Sequence, residues 1–559
     1  MGEIKNVCLI DCPQSLINAF VELGCDVLRL TGVRGGTLDL GEALDRARDE
    51  RGFAPDLVVQ TEFLGLRCLI KGLDALPCPT VFWCMDPHLN GHWHAFYARL
   101  FDLTCSTQRA SIPTIAGRGA TDVRWLPIFG QRSPCPEHHK RTRDVAFVGR
   151  LTAERPGRTW MVRLIEQCCA GHVLTVTDGL SFSAMMDLYR DARIVPNESI
   201  LDEVNFRLFE AASCGCLVLG QDLGEEQASL FEPGCEFDTY ADGMELGEKL
   251  DLYLKNPRLT QAMGRAACQR VLAEHTPRHR AMTLLEFGGE ATERRARGSE
   301  ADAWMALSMA AMWESGMLGG SAKDMLTRLS GDTGALDLAA SPELVCTALR
   351  VQAKAGMTDR LSSVVDGLLV AGLWEDSAEV NLTGSMAALR LERFDAAKSF
   401  WYRHIRNVGI NNLGPPSSPD DLRILWAKDA ARRGAVIRPG FGFDPAVHLP
   451  ATAAECLLAV LAHRAEDPSA MRLLDSMLRP LPGYSQLRVG LLSSLTLRER
   501  EDWRLALELA LADLRCCRVE SGLEELALAR KLAASQGQER IFARALAAAD
   551  RSGRLTATK

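Results

Sequence analysis

At 559 residues the chain is too long for one hydrophobic core, and two to four domains are expected. Its 47% hydrophobic and 24% charged content is that of a globular protein and excludes a disordered chain. A formal net charge of −8 argues against a general nucleic-acid binder, although a local basic cleft stays open. Eighteen cysteines are scattered without a CxxC pair or zinc-finger spacing, so free thiols in a reducing compartment are expected. The N-terminal MGEIKNVCLIDCP suits a first strand better than a signal peptide, and no apolar run approaches a membrane span. These features place the chain in the cytoplasm.

From the start, short apolar strands alternate with helical segments. NVCLID (6–11) precedes an amphipathic SLINAFVEL, and DVLRLT (26–31) follows. A charged helix over 40–51, DLVVQTE (56–62), a further helix and PTVFWCMD (79–86) continue the pattern, then HAFYARLF, DLTCST and VRWLPIF (123–129). Such alternation implies right-handed crossovers and a mostly parallel sheet covered on both faces. GQRSPCPEHHKRTR (130–143) breaks the pattern with Pro, Gly and charge, and is read as a linker.

A second alternating block opens with DVAFVGR (144–150). It runs through a helix at 160–169, VLTVTD (173–178), a helix, ARIVPN (192–197) and CLVLGQD (216–222), with helices near 241–254, 257–274 and 278–287. Two doubly wound domains, 1–130 and 144–297, are therefore expected, with a ligand cleft at their strand ends. Beyond residue 298 strand signals vanish, and Ala/Leu/Arg-rich helices with turns at Gly316, Gly356 and Arg393 suggest a degenerate tetratricopeptide-like domain over 298–559. An irregular helical bundle is the alternative. GPPSSPDD (414–421) divides this region.

The densest chemistry lies in NESILDEVNFRLFEAASCGCLVLGQD (197–222). A helix beginning near Asn205 would offer amides and a positive dipole to a diphosphate. Asn197 stands at the preceding strand end, Arg207 could add a bidentate contact, and Glu210 could accept from ribose hydroxyls. The plainer alternative makes Asp202 or Asn205 only an N-cap and pairs Glu210 with a surface arginine. The second candidate is FVGRLTAERPGRTW: Gly149 ends a strand where a side chain would block a ligand, and Arg150, Arg155 and Arg158 follow, with Pro156 placed to start a helix. In WCMDPHLNGHWHAFY, Asp86 at a strand end and His88 are candidates to deprotonate an acceptor hydroxyl, with Glu62 a weaker one. Zinc at His88, His92 and His94 is the rival, and His92 and His94 as ordinary helix positions the bland reading.

DVAFVGR, LYRDARIVPNES, DEVNFRLFEAASCGCLVL, LFEPGCEFDTYAD and EHTPRHRAMTLL occur in this order. Across roughly residues 80–287 they resemble the CgeB-like (spore-maturation) glycosyltransferases of the two-domain glycosyltransferase-B fold. The resemblance implies a carboxylate eight positions before the helix Glu, the first contacting the donor sugar and the second the ribose; here these are Asp202 and Glu210. The chain departs from that pattern in having Asp at 202 and Glu203, Asn205 and Arg207 in place of a glycine-rich loop.

The expected protein is a glycosyltransferase moving a sugar from a nucleoside diphosphate sugar to an unknown hydroxyl. Asp86 and His88 are its catalytic candidates, and Gly149, Arg150, Arg158, Asn197, Asp202, Asn205, Arg207 and Glu210 its donor-site candidates. No D-x-D triplet occurs, so no metal or other cofactor is expected, and arginines with a helix dipole take the metal's place. A protein acceptor or assembly partner is expected on 298–559. The alternatives are a nucleotide-sugar epimerase on the same scaffold, or a helical scaffold with a vestigial transferase half.

Overall fold

The computed structural model describes residues 4–33, 35–62, 68–120, 122–135, 140–331, 336–409, 415–550 and 553–557. Residues 136–139 of the expected linker and Gly414 of the expected divider lie outside them. Contacts divide the chain into two compact units, one of Met1–Pro127 with Arg278–Ala470, the other of Ile128–Pro277 with Met471–Lys559.

Among the described residues of the first unit eight strands form two sheets: β1 (Asn6–Ile10), β2 (Asp26–Leu30), β3 (Gly36–Asp39), β4 (Leu57–Thr61), β5 (Cys68–Lys71), β6 (Thr80–Cys84), β7 (Leu103–Ser106) and β8 (Val123–Trp125). Six pair in the order β2-β1-β4-β6-β7-β8, all parallel, and β3 pairs β5 alongside. Every residue of LVVQT (β4) and TVFWC (β6) is buried, as central parallel strands covered on both faces require, whereas edge strand β2 keeps Asp26 and Arg29 exposed. The helix Pro87–Tyr97 packs on this sheet and joins a core shared with later helices: Trp93, Phe96 and Leu100 are buried in one cluster with Ala310, Met312 and Leu326.

The second unit holds β9 (Arg143–Val148), β10 (Leu174–Thr177), β11 (Ala192–Asn197), β12 (Leu217–Gln221) and β13 (Asp238–Tyr240). They form a parallel sheet in the order β10-β9-β11-β12-β13. From β9 the chain first crosses to β10 at one side, then returns past β9 to β11 and continues outward. The direction therefore reverses between β9 and β11, and in doubly wound sheets the crevice outside the carboxyl ends of such a strand pair receives ligands.

The helices after residue 298 are shared between the units. Helices Ser299–Glu314, Pro342–Lys354 and Ala378–Arg390 end at turns with left-handed residues, Gly316, Gly356 and Glu392. The last helices pack on the second sheet's own helices: Cys517 is in its core cluster, Met244 packs into the C-terminal cluster, and Arg554 pairs with Glu245 at 2.8 Å. No helix among the described residues is long and apolar enough to cross a membrane.

Candidate functional site

The reversal between β9 and β11 brings the two sequence-predicted segments of the second unit together. Gly149 follows β9, and its amide donates to Thr177 O at 2.9 Å, extending the sheet by one bond. A Cβ at Gly149 would stand 3.0 Å from Arg207 Nη2 and 3.3 Å from Arg158 Nη1. A larger residue there would displace both guanidinium groups, so Gly149 is what lets two arginines meet at the strand end.

Arg207 is in the first turn of the helix Phe206–Ser213 and is anchored to the sheet. Its Nη2 donates to Val148 O at 2.9 Å, its Nη1 donates to Asn197 Oδ1 at 3.0 Å, and the guanidinium lies 4.7 Å from the Phe147 ring centre. Asn197 is buried at the end of β11 and is fixed in turn by Tyr240, whose hydroxyl donates to its carbonyl at 2.9 Å. Asn205 occupies the N-cap position, but its side chain does not cap the helix: Nδ2 donates back to Glu198 O at 2.9 Å, and among the described residues Oδ1 is buried without a partner. The helix thus keeps its N-terminal donors and dipole uncapped by that side chain.

Glu210, one turn further on, has no hydrogen-bond or ion-pair partner among the described residues. Burial raises its carboxyl from 4.5 to about 7, against the opposing pull of Arg207. Near neutrality the group is held between its two protonation states, ready to be stabilised as a carboxylate by any donor that reaches it.

Arg158 is buried and committed to the protein. Its Nε donates to Glu198 Oε2 at 2.5 Å, and Nη1 reaches Arg150 O at 3.3 Å. Arg150 is exposed. Together with Thr152, Glu154, Arg155 and Arg158 it lines a cleft of about 380 Å³ just beyond β9. Arg155, which the sequence leaves as readily solvated as functional, belongs to this cleft, and Glu198 was missed although it adjoins Asn197.

The loop between β11 and the helix Phe206–Ser213 is tied by Glu203, a buried carboxylate. It accepts from Ile200 N at 2.9 Å, Leu201 N at 2.8 Å and Ser199 Oγ at 2.8 Å. Asp202 sits at the loop's tip in a left-handed conformation (φ 60°), which Asp tolerates better than most residues. Its Oδ2 accepts from the backbone amide of Gly483 at 2.7 Å. Nothing in the sequence near Asp202 announces a partner 281 residues away.

Asp86 and His88 are in the first unit. Asp86 is the N-cap residue of Pro87–Tyr97, and its amide donates to Glu62 Oε2 at 3.0 Å. Glu62 is buried, also accepts from Met85 N at 3.0 Å and from Asn90 Nδ2 at 2.5 Å, and lies 3.1 Å from His94 Nε2. It fixes the strand end and helix start that carry Asp86. Among the described residues His88 Nδ1 is buried without a partner. His92 faces the edge of Phe441 at 5.5 Å, and burial with Arg438 nearby drives it down to about 3, so it is a neutral imidazole. His94 is fully buried against Glu62. The three histidines expected as rival zinc ligands do not form a ligand set: among the described residues no group of three His, Cys, Asp or Glu side chains could hold a metal.

The family described as glycosyl transferase-like matches residues 142–286, which contain β9, β11 and every donor-site candidate above. Comparison with curated proteins gave no match. Among solved structures, TarM of S. aureus is similar at 10% identity and TM-score 0.33, covering 42% of this chain and 55% of its own. Sucrose-phosphate synthase from Thermosynechococcus elongatus gives 11% and 0.38, covering 51% and 98%. An alpha-glucosyltransferase solved with UDP and DNA gives 10% and 0.42, covering 52% and 100%. The chain thus spans about half of TarM's length.

Proposed function

We propose that this protein is a glycosyltransferase of the two-domain glycosyltransferase-B type, using a nucleoside diphosphate sugar donor. The observation that carries this reading is the pairing, at one strand-order reversal, of an anchored Arg207 with an unpartnered Glu210 carboxyl, inside the segment that matches a glycosyl transferase-like family. Arg207, with Arg150 and Arg155 of the adjoining cleft, would receive the diphosphate, where negative charge grows as the leaving group departs. Glu210 would accept from the ribose hydroxyls, which favours its ionised form. Asp86 or His88 would serve the acceptor hydroxyl from the first unit.

The donor site needs no divalent cation in this proposal, because guanidinium groups and the helix dipole supply the positive charge that a metal otherwise brings. A protein acceptor or partner would dock on the helices after residue 298, where Thr358–Val370 keeps Asp359, Arg360 and Asp366 exposed while Pro342–Lys354 is buried behind it. Eighteen cysteines without a disulfide support a reducing, cytoplasmic setting.

The test is a thermal-shift and calorimetric titration with UDP, GDP and ADP, in the presence and absence of EDTA. One of them should stabilise the protein by mass action and do so equally with chelator. Arg207→Ala and Glu210→Ala should each weaken that binding by about 1–3 kcal/mol. Wild-type affinity in both folded variants would refute the site.

A further inference from the structure

The turn Pro482–Tyr484 belongs to the C-terminal helices, yet it lies on two elements that bound the proposed donor site. On one side Gly483 N donates to Asp202 Oδ2 at 2.7 Å. A Cβ at Gly483 would stand 2.8 Å from Leu201 Cα and 3.3 Å from Asp202 Oδ2, so backbone meets backbone there as only glycine permits. On the other side Gln486 packs on Gly157, where a Cβ would stand 2.5 Å from Gln486 Nε2. Gly157 is the second residue of the helix Pro156–Cys168 and lies between the cleft residues Arg155 and Arg158. The turn, with the start of the helix Ser485–Arg498 that follows it, therefore bridges the tip of the 199–203 loop and the rim of the arginine cleft.

Among the described residues Tyr484 Oη at this junction is buried without a partner, and so is Asn205 Oδ1, three positions along the chain from Asp202. Asp202 is exposed at the loop tip, its Oδ1 has no hydrogen-bond partner among the described residues, and its charge acts on the Tyr484 hydroxyl. A buried hydroxyl left unsatisfied destabilises the fold unless something completes it. Tyr484 offers a donor and Asp202 an acceptor at this junction, and Asn205 offers a second acceptor at the N-cap of the helix that carries Arg207 and Glu210, a set that complements the hydroxyls of a sugar ring.

We propose that the Pro482–Tyr484 turn forms the sugar subsite of the donor site, with Tyr484 Oη donating to a sugar hydroxyl and Asp202 and Asn205 accepting from its neighbours. This rests on the glycosyltransferase reading and extends it: a segment outside the matched family region reads the transferred sugar. The bland alternative is that the turn only packs the C-terminal helices against the second sheet.

The test uses the full chain and Tyr484→Phe, which keeps the ring and removes only the orphan hydroxyl. UDP, GDP and ADP are titrated beside UDP-glucose, UDP-galactose, UDP-N-acetylglucosamine, GDP-mannose and ADP-glucose. The best sugar nucleotide should bind wild type more tightly than its parent nucleotide. Tyr484→Phe should weaken the sugar nucleotide roughly three- to tenfold, with the parent nucleotide held within about twofold. Without ligand, the variant's unfolding midpoint should equal or exceed that of wild type, since an unsatisfied group has gone. An unchanged preference in the variant, no sugar preference in wild type, or a clear loss of ligand-free stability would overturn the subsite while leaving nucleotide binding intact. No binding of any nucleotide by wild type is a separate result, and it would overturn the glycosyltransferase reading and this inference with it.

Discussion

Glu210 links the geometry of the second unit to a measurable pH dependence. Its carboxyl is moved from 4.5 to about 7, because burial penalises the charge more than Arg207 relieves it. The folded protein therefore holds this proton more tightly than the unfolded chain does. Stability is greatest where both states are protonated, falls as pH rises through the window from 4.5 to about 7, and is level above it. Each tenfold difference in proton affinity corresponds to about 1.4 kcal/mol, so the ionised group destabilises the fold by roughly 2–3 kcal/mol at about pH 8.5 relative to about pH 5. Glu210→Gln removes the titration and keeps the shape. The difference in unfolding free energy between wild type and variant, measured by urea denaturation at both pH values, cancels every other titrating group. It should shift by that amount in favour of Gln at the higher pH. A pH-independent difference, or one of opposite sign, would refute the account of a half-buried carboxyl without a partner. If ribose hydroxyls donate to this group, nucleotide binding also lowers its pKa and releases part of a proton near neutrality. Calorimetry in two buffers of different ionisation enthalpy detects that release in wild type, and Glu210→Gln should abolish it.

Three further outcomes are expected. Arg158→Ala leaves Glu198 buried and unpaired and should destabilise the protein by about 3–5 kcal/mol in chemical denaturation, with Arg158→Ala/Glu198→Ala recovering much of the loss. Glu62→Gln weakens the acceptor of two backbone amides and should lower stability by about 2–3 kcal/mol, while affinity for the nucleotide diphosphate stays at the wild-type value because the second unit is untouched. A chain ending near Arg297 loses the helices whose Met309, Met312 and Leu326 share a core with Trp93 and Phe96 of the first sheet; it should aggregate on size-exclusion chromatography, and a monomeric, cooperatively folding product would contradict that shared core.

Strands such as β4, β6 and β12 were legible because a strand buried on both faces is a run of apolar residues, and the helix starting after Asn205 was legible from its small-residue face. β3, β5 and β13 were not: they are three or four residues long, and GTLD or DTY carries no periodicity to read. At the site, sequence brought Gly149, Asn197, Arg207 and Glu210 into view because each sits at the end of a readable strand or in the first turns of a readable helix. It gave Arg158 a place facing the diphosphate, and it left the partner of Asp202 unseen. Both pairings are long-range, Arg158 with Glu198 across 40 residues and Asp202 with Gly483 across 281. Local patterns report which residues share an element, while the partner of a buried charge depends on which elements the fold lays side by side. The same limit hides which sheet each helix after residue 298 covers, since an Ala/Leu-rich face is equally suited to either.

The four arginines near β9 are unequal for an incoming anion, and the reason is their existing partners. Arg158 is matched by the Glu198 carboxylate at 2.5 Å, so the pair adds little net field to the cleft and holds the strand ends in place. Arg207 is held by neutral groups, Val148 O and Asn197 Oδ1, which orient the guanidinium without cancelling its charge. It retains donors beyond these two and loses little side-chain freedom when a ligand arrives, so its contact is stronger per hydrogen bond than one from a mobile side chain. Arg150 is exposed, must be ordered on binding, and acts through water that screens it. Arg155, half-buried beside the exposed Glu154 on the rim, is held by no partner as firm as those of Arg207. The expected order of affinity losses on substitution by alanine is therefore Arg207 first, then Arg150 and Arg155, with high salt weakening the contribution of the last two much more than that of Arg207. Arg158 stands apart, its loss registering in stability before it registers in binding.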